Sequence, residues 1–275
     1  MTDYFEVFER DGAARRGELR LASPVSTPAL VTDAEADGTV DAAADADTDT
    51  VAIARPEAGI AHPVLADTGS EWVAEREAPD GDDTTLTILP HRALPDGTPD
   101  EVQGAFAGDV PVTDSPSAAV VSPDTAADHG TDAYVLSGAP GVVGHAAAFV
   151  DAIVTVREAI PPDSALYLPG VATPANVATL VYAGVDLVDA DRAVVRGFDG
   201  HYLTTDGHAF LDDLDELPCA CPACQQPREE FGPEDCAEHN VNALAAALKT
   251  ARRRVHEGRL RDYIEGQARH EQWLT

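Results

Sequence analysis

Short apolar runs of four or five residues recur along the chain, and most contain valine, isoleucine or leucine. Runs of this length and composition are typical of strands buried on both faces of a sheet. The predicted strands are residues 50–54, 63–66, 85–89, 118–121, 133–136, 165–168 and 185–188. Helix-compatible stretches at 144–160 and 174–183 separate some of them, which is the strand–helix alternation of a parallel sheet. We therefore predict an α/β fold with a shortened barrel arrangement.

The two ends of the chain have different patterns. Residues 4–31 alternate between apolar and polar positions around a turn at Gly12, which predicts two or three short strands. Residues 237–248 carry apolar side chains at helical spacing, and residues 251–274 are predicted to continue as an arginine-rich helix around Gly258. The chain is thus expected to end in α-helix.

Acidic residues dominate the charge of the chain, with 49 Asp and Glu against 18 Lys and Arg and a net charge of −31. At about 1 M salt the Debye length is only about 3 Å, so a dense carboxylate surface repels itself little. This composition indicates a halophilic protein. No run of eighteen apolar residues and no signal-peptide pattern occurs in the sequence, so we expect no membrane segment and a cytoplasmic location.

Basic residues are concentrated near the end of this acidic chain, where seven of the eighteen fall between Lys249 and Arg269. A solvated helix face would account for such a segment, but the local concentration favours an anionic partner such as RNA. The candidate RNA-binding residues are Arg252, Arg253, Arg254, Arg259 and Arg261.

All four cysteines lie within one stretch of eighteen residues, followed closely by a histidine. Three thiolates on one tight loop, joined by an imidazole or a fourth thiolate from the next helix, form the soft tetrahedral set that zinc prefers. The favoured ligands of a structural Zn²⁺ are Cys219, Cys221, Cys224 and His239. Cys236 lies three residues before His239, can share its helical face, and is the alternative fourth ligand.

Two other interpretations of the cysteines are weaker. Two disulfides within eighteen residues would be unusual in a chain without a secretory signal. An iron–sulfur or redox role is the second choice, because a C-x-C-x2-C start is not the usual ferredoxin spacing. Structural zinc is therefore the preferred hypothesis.

Three aspartates lie at or beside the ends of predicted strands, and the carboxyl ends of barrel strands are where active sites form. Asp186 and Asp189 accompany the run at 185–188, and Asp67 follows the run at 63–66 in a turn. Because side chains alternate along a strand, Asp186 and Asp189 should face different ways. One can then be catalytic while the other caps or pairs, whereas Asp67 alone is consistent with an ordinary turn aspartate.

Several segments resemble the tRNA-guanine transglycosylases and their archaeal relatives that make archaeosine in tRNA. Residues 183–189 (AGVDLVD) are similar to the family's G-V-D-L-F-D-S strand. Residues 218–224 (PCACPAC) and 238–240 (EHN) are similar to its zinc-binding end. Further likeness is found at residues 5–7, 9–15, 27–30, 202–204 and 257–260. The resemblance thus runs from end to end.

This resemblance implies a TIM-barrel-like transglycosylase body over residues 1–217 and a zinc-binding subdomain with a basic C-terminal helix over 218–275. In such transglycosylases a strand-end aspartate attacks the ribose C1′ and displaces the base as a covalent intermediate. Asp189 matches that nucleophile, and Asp67, in a D-T-G segment, matches the family's second aspartate as a supporting base. The zinc is structural there, and its subdomain helps to seat tRNA.

The likeness is greatest to the N-terminal, transglycosylase-like portion of archaeosine synthase, which acts on the nitrile of 7-cyano-7-deazaguanine already placed in tRNA. We therefore predict tRNA modification in the archaeosine pathway, as an archaeosine synthase or a tRNA-ribosyltransferase. The additional C-terminal domains of that enzyme have no counterpart here, which suggests a partner chain that supplies them; a homodimer is a further candidate assembly. The alternative is a non-catalytic, zinc-containing subunit that binds tRNA or a partner.

Overall fold

The structure, a computed structural model, describes residues 4–33, 49–54, 82–89, 113–136, 146–227 and 231–274. Its strands, in chain order, are β1 Phe5–Asp11, β2 Ala14–Leu19, β3 Val25–Thr27, β4 Ala29–Asp33, β5 Thr50–Ala54, β6 Leu86–Ile88, β7 Ser117–Val121, β8 Ala133–Leu136, β9 Ala165–Leu168, β10 Leu187–Asp189, β11 His201–Thr204 and β12 Gly207–Phe210. The α-helices are α1 Ala146–Ala159, α2 Val177–Tyr182, α3 Asp191–Phe198, α4 Pro222–Gln225, α5 Pro233–His256 and α6 Leu260–Leu274.

A closed barrel of parallel strands forms the centre of the fold. Strands β4 to β10 are neighbours in chain order, and β10 returns to pair with β4, where Leu187 lies opposite Ala29. Helices α1 and α2 lie in the connections that precede β9 and β10. The predicted α/β barrel is therefore confirmed. The predicted strands at 133–136 and 165–168 coincide with β8 and β9, whereas 63–66 lies outside the described residues.

Side chains of the barrel strands alternate between two apolar layers, as the period of a strand requires. Val31, Ile53 and Val135 belong to the layer that also includes Phe5 and other residues of the first sheet. Their strand neighbours Leu30, Tyr134 and Leu136 pack in the other layer, with the helices. Both layers are buried, which explains why the strands appear in the sequence as continuous apolar runs.

The antiparallel sheet β1–β2–β3 covers the amino end of the barrel. The hairpin between β1 and β2 turns at Gly12, whose φ of +66° is easily adopted only by glycine. From β2, the Arg15 guanidinium donates to the carbonyls of Pro162 (2.8 Å) and Ser164 (3.0 Å), just before β9. It also forms an ion pair with Asp186, just before β10. The first sheet is thus attached to the amino ends of these strands.

The ion pair between Arg15 and Asp186 is buried, and each side chain is only 1% exposed. Asp186 also accepts a hydrogen bond from the Leu166 N–H (2.8 Å) and lies 3.7 Å from Arg157. Burial lowers the pKa of Arg157 to about 10, with a smaller contribution from the charge of Arg15. Arg157 therefore remains charged at neutral pH, and Asp186 is the carboxylate that it shares with Arg15.

We expect the substitution Asp186→Ala to lower the free energy of unfolding by about 3–5 kcal/mol, because it leaves a buried arginine unpaired. Denaturant unfolding at constant molar salt measures this loss. The matched control is Glu6→Ala, which removes the exposed ion pair with Arg20 and should cost less than about 1 kcal/mol. Equal losses in the two variants would contradict the structural role assigned to Asp186.

Helix α5 extends between the two ends of the barrel. It is 24 residues long, which corresponds to about 36 Å, and it packs on α3, β11, α2 and the β1–β2 hairpin. Near its end, Arg252 donates to the Pro28 carbonyl from Nε (3.1 Å) and Nη2 (2.6 Å) and pairs with Asp49. Pro28 and Asp49 immediately precede β4 and β5, so this part of α5 lies at the amino end of the barrel.

A break at Gly258 separates α5 from α6, because this glycine has a φ of +63° and ends the first helix. The second helix then begins at Leu260, whose N–H donates to the Asp11 carboxylate (2.8 Å). Among the described residues, none of the helices has the length and apolarity needed to cross a membrane. The division at residues 217 and 218 into a body and a subdomain stays a prediction.

Candidate functional site

The cysteine loop and α5 bring four possible metal ligands together. The loop contributes Cys219 and Cys221, the short helix α4 contributes Cys224, and α5 contributes His239. Pro222 begins α4, and the N–H of Cys224 donates to the Cys221 carbonyl (3.1 Å), which folds the loop tightly. The three sulfur atoms and one imidazole nitrogen all lie within 4.8 Å of one another. The structure thus gathers the set favoured from the sequence.

The orientation of His239 suits metal binding. Its Nε2 lies 2.9 Å from the Leu203 carbonyl, which can only accept, so Nε2 carries the proton. The unprotonated Nδ1 lies 3.4 Å from the sulfur atoms of both Cys221 and Cys224. A tetrahedral zinc with ordinary bond lengths separates its sulfur and nitrogen ligands by about 3.6 Å. The donor set and its spacing therefore fit a tetrahedral metal ion.

Cys236 is directed elsewhere, although it lies only one helical turn from His239. Its sulfur donates to the His201 carbonyl (3.4 Å) in β11, and its side chain is fully buried. Burial raises the pKa of its thiol to about 11, so it stays protonated as a hydrogen-bond donor. The group that could hold a metal among the described residues contains His239 and does not include Cys236.

Asn240, which the sequence interpretation did not single out, supports the ligands from behind. Its Oδ1 accepts from the Leu203 N–H (2.8 Å), while its Nδ2 donates to the carbonyls of Ala193 (3.0 Å) and His201 (2.9 Å). Asn240 is completely buried, and it joins α5 to β11 and to α3. Its position directly after His239 was the available signal.

Asp189 is the last residue of β10 and lies at the carboxyl end of the barrel. Its carboxylate accepts from the Tyr167 hydroxyl (2.7 Å), the Gly170 N–H (2.9 and 3.0 Å) and the Asp191 N–H (3.2 Å). Only 2% of the residue is exposed. Asp189 is therefore held in a fixed orientation at the end of the barrel where α/β-barrel enzymes place their catalytic groups.

The other two aspartates are placed differently. Asp186 lies at the amino end of β10 and is paired with Arg15, so the two aspartates of this strand occupy opposite ends of the barrel. Asp67 lies outside the described residues. A supporting role for Asp67 stays a prediction from the resemblance.

The five candidate RNA-binding arginines lie near the amino end of the barrel, opposite Asp189. Arg252 is bound to Pro28 and Asp49, and its side chain is 16% exposed. Three of the others have acidic partners close by in the chain: Arg253 and Arg254 with Glu257, and Arg261 with Glu265. Arg259 is exposed and has no ion pair within the part of the chain that the structure describes. RNA binding by these residues stays a prediction.

The fold and site together define a parallel-barrel protein with a fixed aspartate at one barrel end and a Cys3His cluster on the following helices. Residues 116–272 match the model of the TGT family, described as queuine tRNA-ribosyltransferase. This match covers more than half of the chain and includes Asp189 and all four residues of the cluster. The chain therefore belongs to the TGT family.

Curated relatives extend this result. The chain is 57% identical over all 275 residues to the archaeosine synthase of Haloferax volcanii and spans 42% of that protein. It is 33% identical over 299 aligned positions to the archaeosine synthase subunit alpha of Methanosarcina acetivorans, spanning 44% of it. A tRNA-guanine(15) transglycosylase of H. volcanii is 33% identical over 132 residues, which is 44% of this chain and 25% of that protein. The chain thus spans less than half the length of these relatives.

Proposed function

We propose that this chain acts in tRNA modification in the archaeosine pathway, as a transglycosylase-like part of an archaeosine synthase. The observation that carries the proposal is the 57% identity to an archaeosine synthase over the whole chain. The similarity to a transglycosylase of the same organism is lower, at 33%, and covers only 44% of the chain. Modification of a base already placed in tRNA is therefore favoured over exchange of the base itself.

Asp189 is the residue proposed to act on the nucleoside. If the protein exchanges bases, one carboxylate oxygen would form a bond to the ribose C1′ while the glycosidic bond to the base breaks. The departing base would then keep the bonding electron pair and take up a proton. The hydroxyl of Tyr167 and the N–H of Gly170 support this role because they fix the carboxylate in one orientation.

Zinc is the metal proposed for the cluster of Cys219, Cys221, Cys224 and His239, because three thiolates and one imidazole form a closed structural zinc set. When bound, the ion would supply the positive charge that keeps the partly buried thiolates ionised. Asn240, which follows His239 directly, donates to the Ala193 carbonyl in α3. Helix α3 begins at Asp191, whose N–H donates to the Asp189 carboxylate. The metal centre would thus help to hold the proposed catalytic strand end in place.

The test uses purified protein in molar salt with two substrates. One is tRNA carrying 7-cyano-7-deazaguanine, and the other is unmodified tRNA supplied with labelled free 7-cyano-7-deazaguanine. Nucleosides are then identified by mass spectrometry. A change in the nitrile supports synthase chemistry, and incorporation of label supports base exchange. If neither occurs although the protein binds tRNA, the enzymatic proposal is overturned.

The second candidate is a non-catalytic, zinc-containing subunit that binds tRNA or a partner chain. It is supported by the 33% identity to a relative whose name is that of a subunit, the archaeosine synthase subunit alpha of Methanosarcina acetivorans. Adding the remaining part of such a synthase as a separate chain, and measuring both co-elution and activity, distinguishes a subunit from a complete enzyme. Size-exclusion chromatography with light scattering tests whether the chain forms the homodimer considered from the sequence.

We expect the double substitution Arg253→Gln and Arg259→Gln to weaken tRNA binding without loss of stability, because both side chains are exposed. The salt slope of binding should fall by about 1 for each arginine that contacts phosphate. Anisotropy titrations with labelled tRNA over a salt series measure both quantities.

The matched comparison is Arg252→Gln, which removes hydrogen bonds to Pro28 and the ion pair with Asp49. This variant should mainly lose stability, by about 1–3 kcal/mol, because the Pro28 carbonyl loses its donors. If the double variant binds tRNA with unchanged affinity and salt slope, the prediction that these arginines bind RNA is wrong.

A further inference from the structure

We propose that Tyr202 is a positioning residue of the metal centre that controls the Cys224 thiolate by a hydrogen bond and the His239 ring by stacking. Tyr202 lies in β11 and is completely buried. Neither the motif spacing nor the donor set assigns it any role. The inference rests on the proposed metal centre.

The contacts of Tyr202 join two of the four ligands. Its hydroxyl lies 3.3 Å from the sulfur of Cys224. Its ring stacks on the His239 imidazole, with centroids 3.7 Å apart and planes inclined by only 9°. One side chain therefore touches both a sulfur ligand and the nitrogen ligand.

The hydroxyl must be the donor when a metal is bound. A metal-bound cysteine is a thiolate, which has no proton to give, whereas a phenol is protonated at neutral pH. Three thiolates around a divalent cation leave the centre with one excess negative charge. A hydrogen bond to the Cys224 sulfur draws off part of this charge, which makes the sulfur less reactive and lowers the energy of its lone pairs.

The stacking contact acts on the other ligand. The Leu203 carbonyl holds the Nε2 of His239, but a single hydrogen bond leaves the imidazole free to rotate about it. The parallel Tyr202 ring restricts that rotation and keeps Nδ1 directed at the sulfur atoms. Outer contacts of this kind typically change metal affinity by about 10- to 100-fold.

The test compares the substitution Tyr202→Phe with the wild-type protein after loading both with Co²⁺. The variant keeps the ring stack and loses only the hydroxyl. We expect its sulfur-to-cobalt absorption bands to shift to lower energy, because the Cys224 lone pairs rise without their donor. We also expect metal transfer to a chelator to become easier by about 10-fold. The matched control is Tyr134→Phe, which removes a buried hydroxyl that donates to His129 and should leave both readouts unchanged.

The possible results distinguish a failure of the Tyr202 role from a failure of the proposed metal centre. If the wild-type protein binds no Co²⁺, the metal centre itself is wrong. If it binds Co²⁺ but the Tyr202→Phe bands and chelator transfer match the wild type, the role of Tyr202 is overturned. If the variant does not fold, NMR of the ¹¹³Cd-loaded wild-type protein decides. A tyrosine hydroxyl proton coupled to cadmium would support the hydrogen bond, and its absence would overturn it.

Discussion

Replacing His239 by alanine is expected to abolish tight metal binding and to destabilise the region where α5 meets β11 and α3. The substitution removes one of the four proposed ligands and leaves the cysteines of the cluster, of which two are kept from ionising easily by burial. Burial raises the pKa of Cys221 to about 12 and also raises that of Cys224. Structural zinc sites contribute directly to folding, so the loss should be on the order of several kcal/mol. Metal content by mass spectrometry, together with thermal unfolding, measures both effects.

The matched control is Cys236→Ser, because Cys236 is a buried cysteine on the same helix that contacts the His201 carbonyl. This variant should keep one metal ion per chain and lose less stability. The assignment of His239 as the fourth ligand would be wrong if Cys236→Ser lost the metal while His239→Ala kept it. Partial loss of tRNA modification by His239→Ala is also expected, since Asn240 next to it holds α3 near Asp189.

The candidate metal ligands show how much of this site could be predicted from the sequence. Clustering of all four cysteines was enough to predict a metal site and three of its candidate ligands. The choice between Cys236 and His239 could not be made from spacing, because both lie on one face of α5. The carbonyls of His201 and Leu203 in β11 favour His239, because the first accepts from the Cys236 thiol and the second from the His239 Nε2, which leaves Nδ1 directed at the sulfur atoms. Such contacts join residues about 35 positions apart, which local patterns do not record.

The strands of the fold could be predicted from local patterns, but the closure of the barrel could not. Strands buried on both faces leave an apolar signature in the chain, and the runs at 133–136 and 165–168 reproduce β8 and β9. The closure of the barrel between β10 and β4 has no such signature, since it joins segments more than 150 residues apart. The role of Arg252 was hidden in the same way, because its partner Asp49 lies 203 residues away. A local run of arginines indicates only charge.

The substitution Asp189→Asn is expected to abolish base exchange in tRNA, read as incorporation of labelled 7-cyano-7-deazaguanine, while metal content and tRNA affinity stay near wild-type values. The amide is nearly the same size as the carboxylate, and its oxygen can still accept from Tyr167 and Gly170. It cannot form the proposed bond to the ribose carbon, so the rate should fall by about 10³-fold or more. Nucleoside mass spectrometry on both tRNA substrates gives the rate, and anisotropy gives the affinity.

Tyr167→Phe provides the comparison that separates chemistry from orientation. This variant keeps the carboxylate of Asp189 and removes only the donor 2.7 Å from it, so we expect a loss of about 10-fold. A large fall in the rate of base exchange in Asp189→Asn, together with a small fall in Tyr167→Phe, therefore supports direct attack by Asp189 on the ribose. If Asp189→Asn retains label incorporation, Asp189 is not the nucleophile. If it retains nitrile conversion but loses incorporation, the carboxylate serves base exchange alone, and the synthase chemistry depends on other groups.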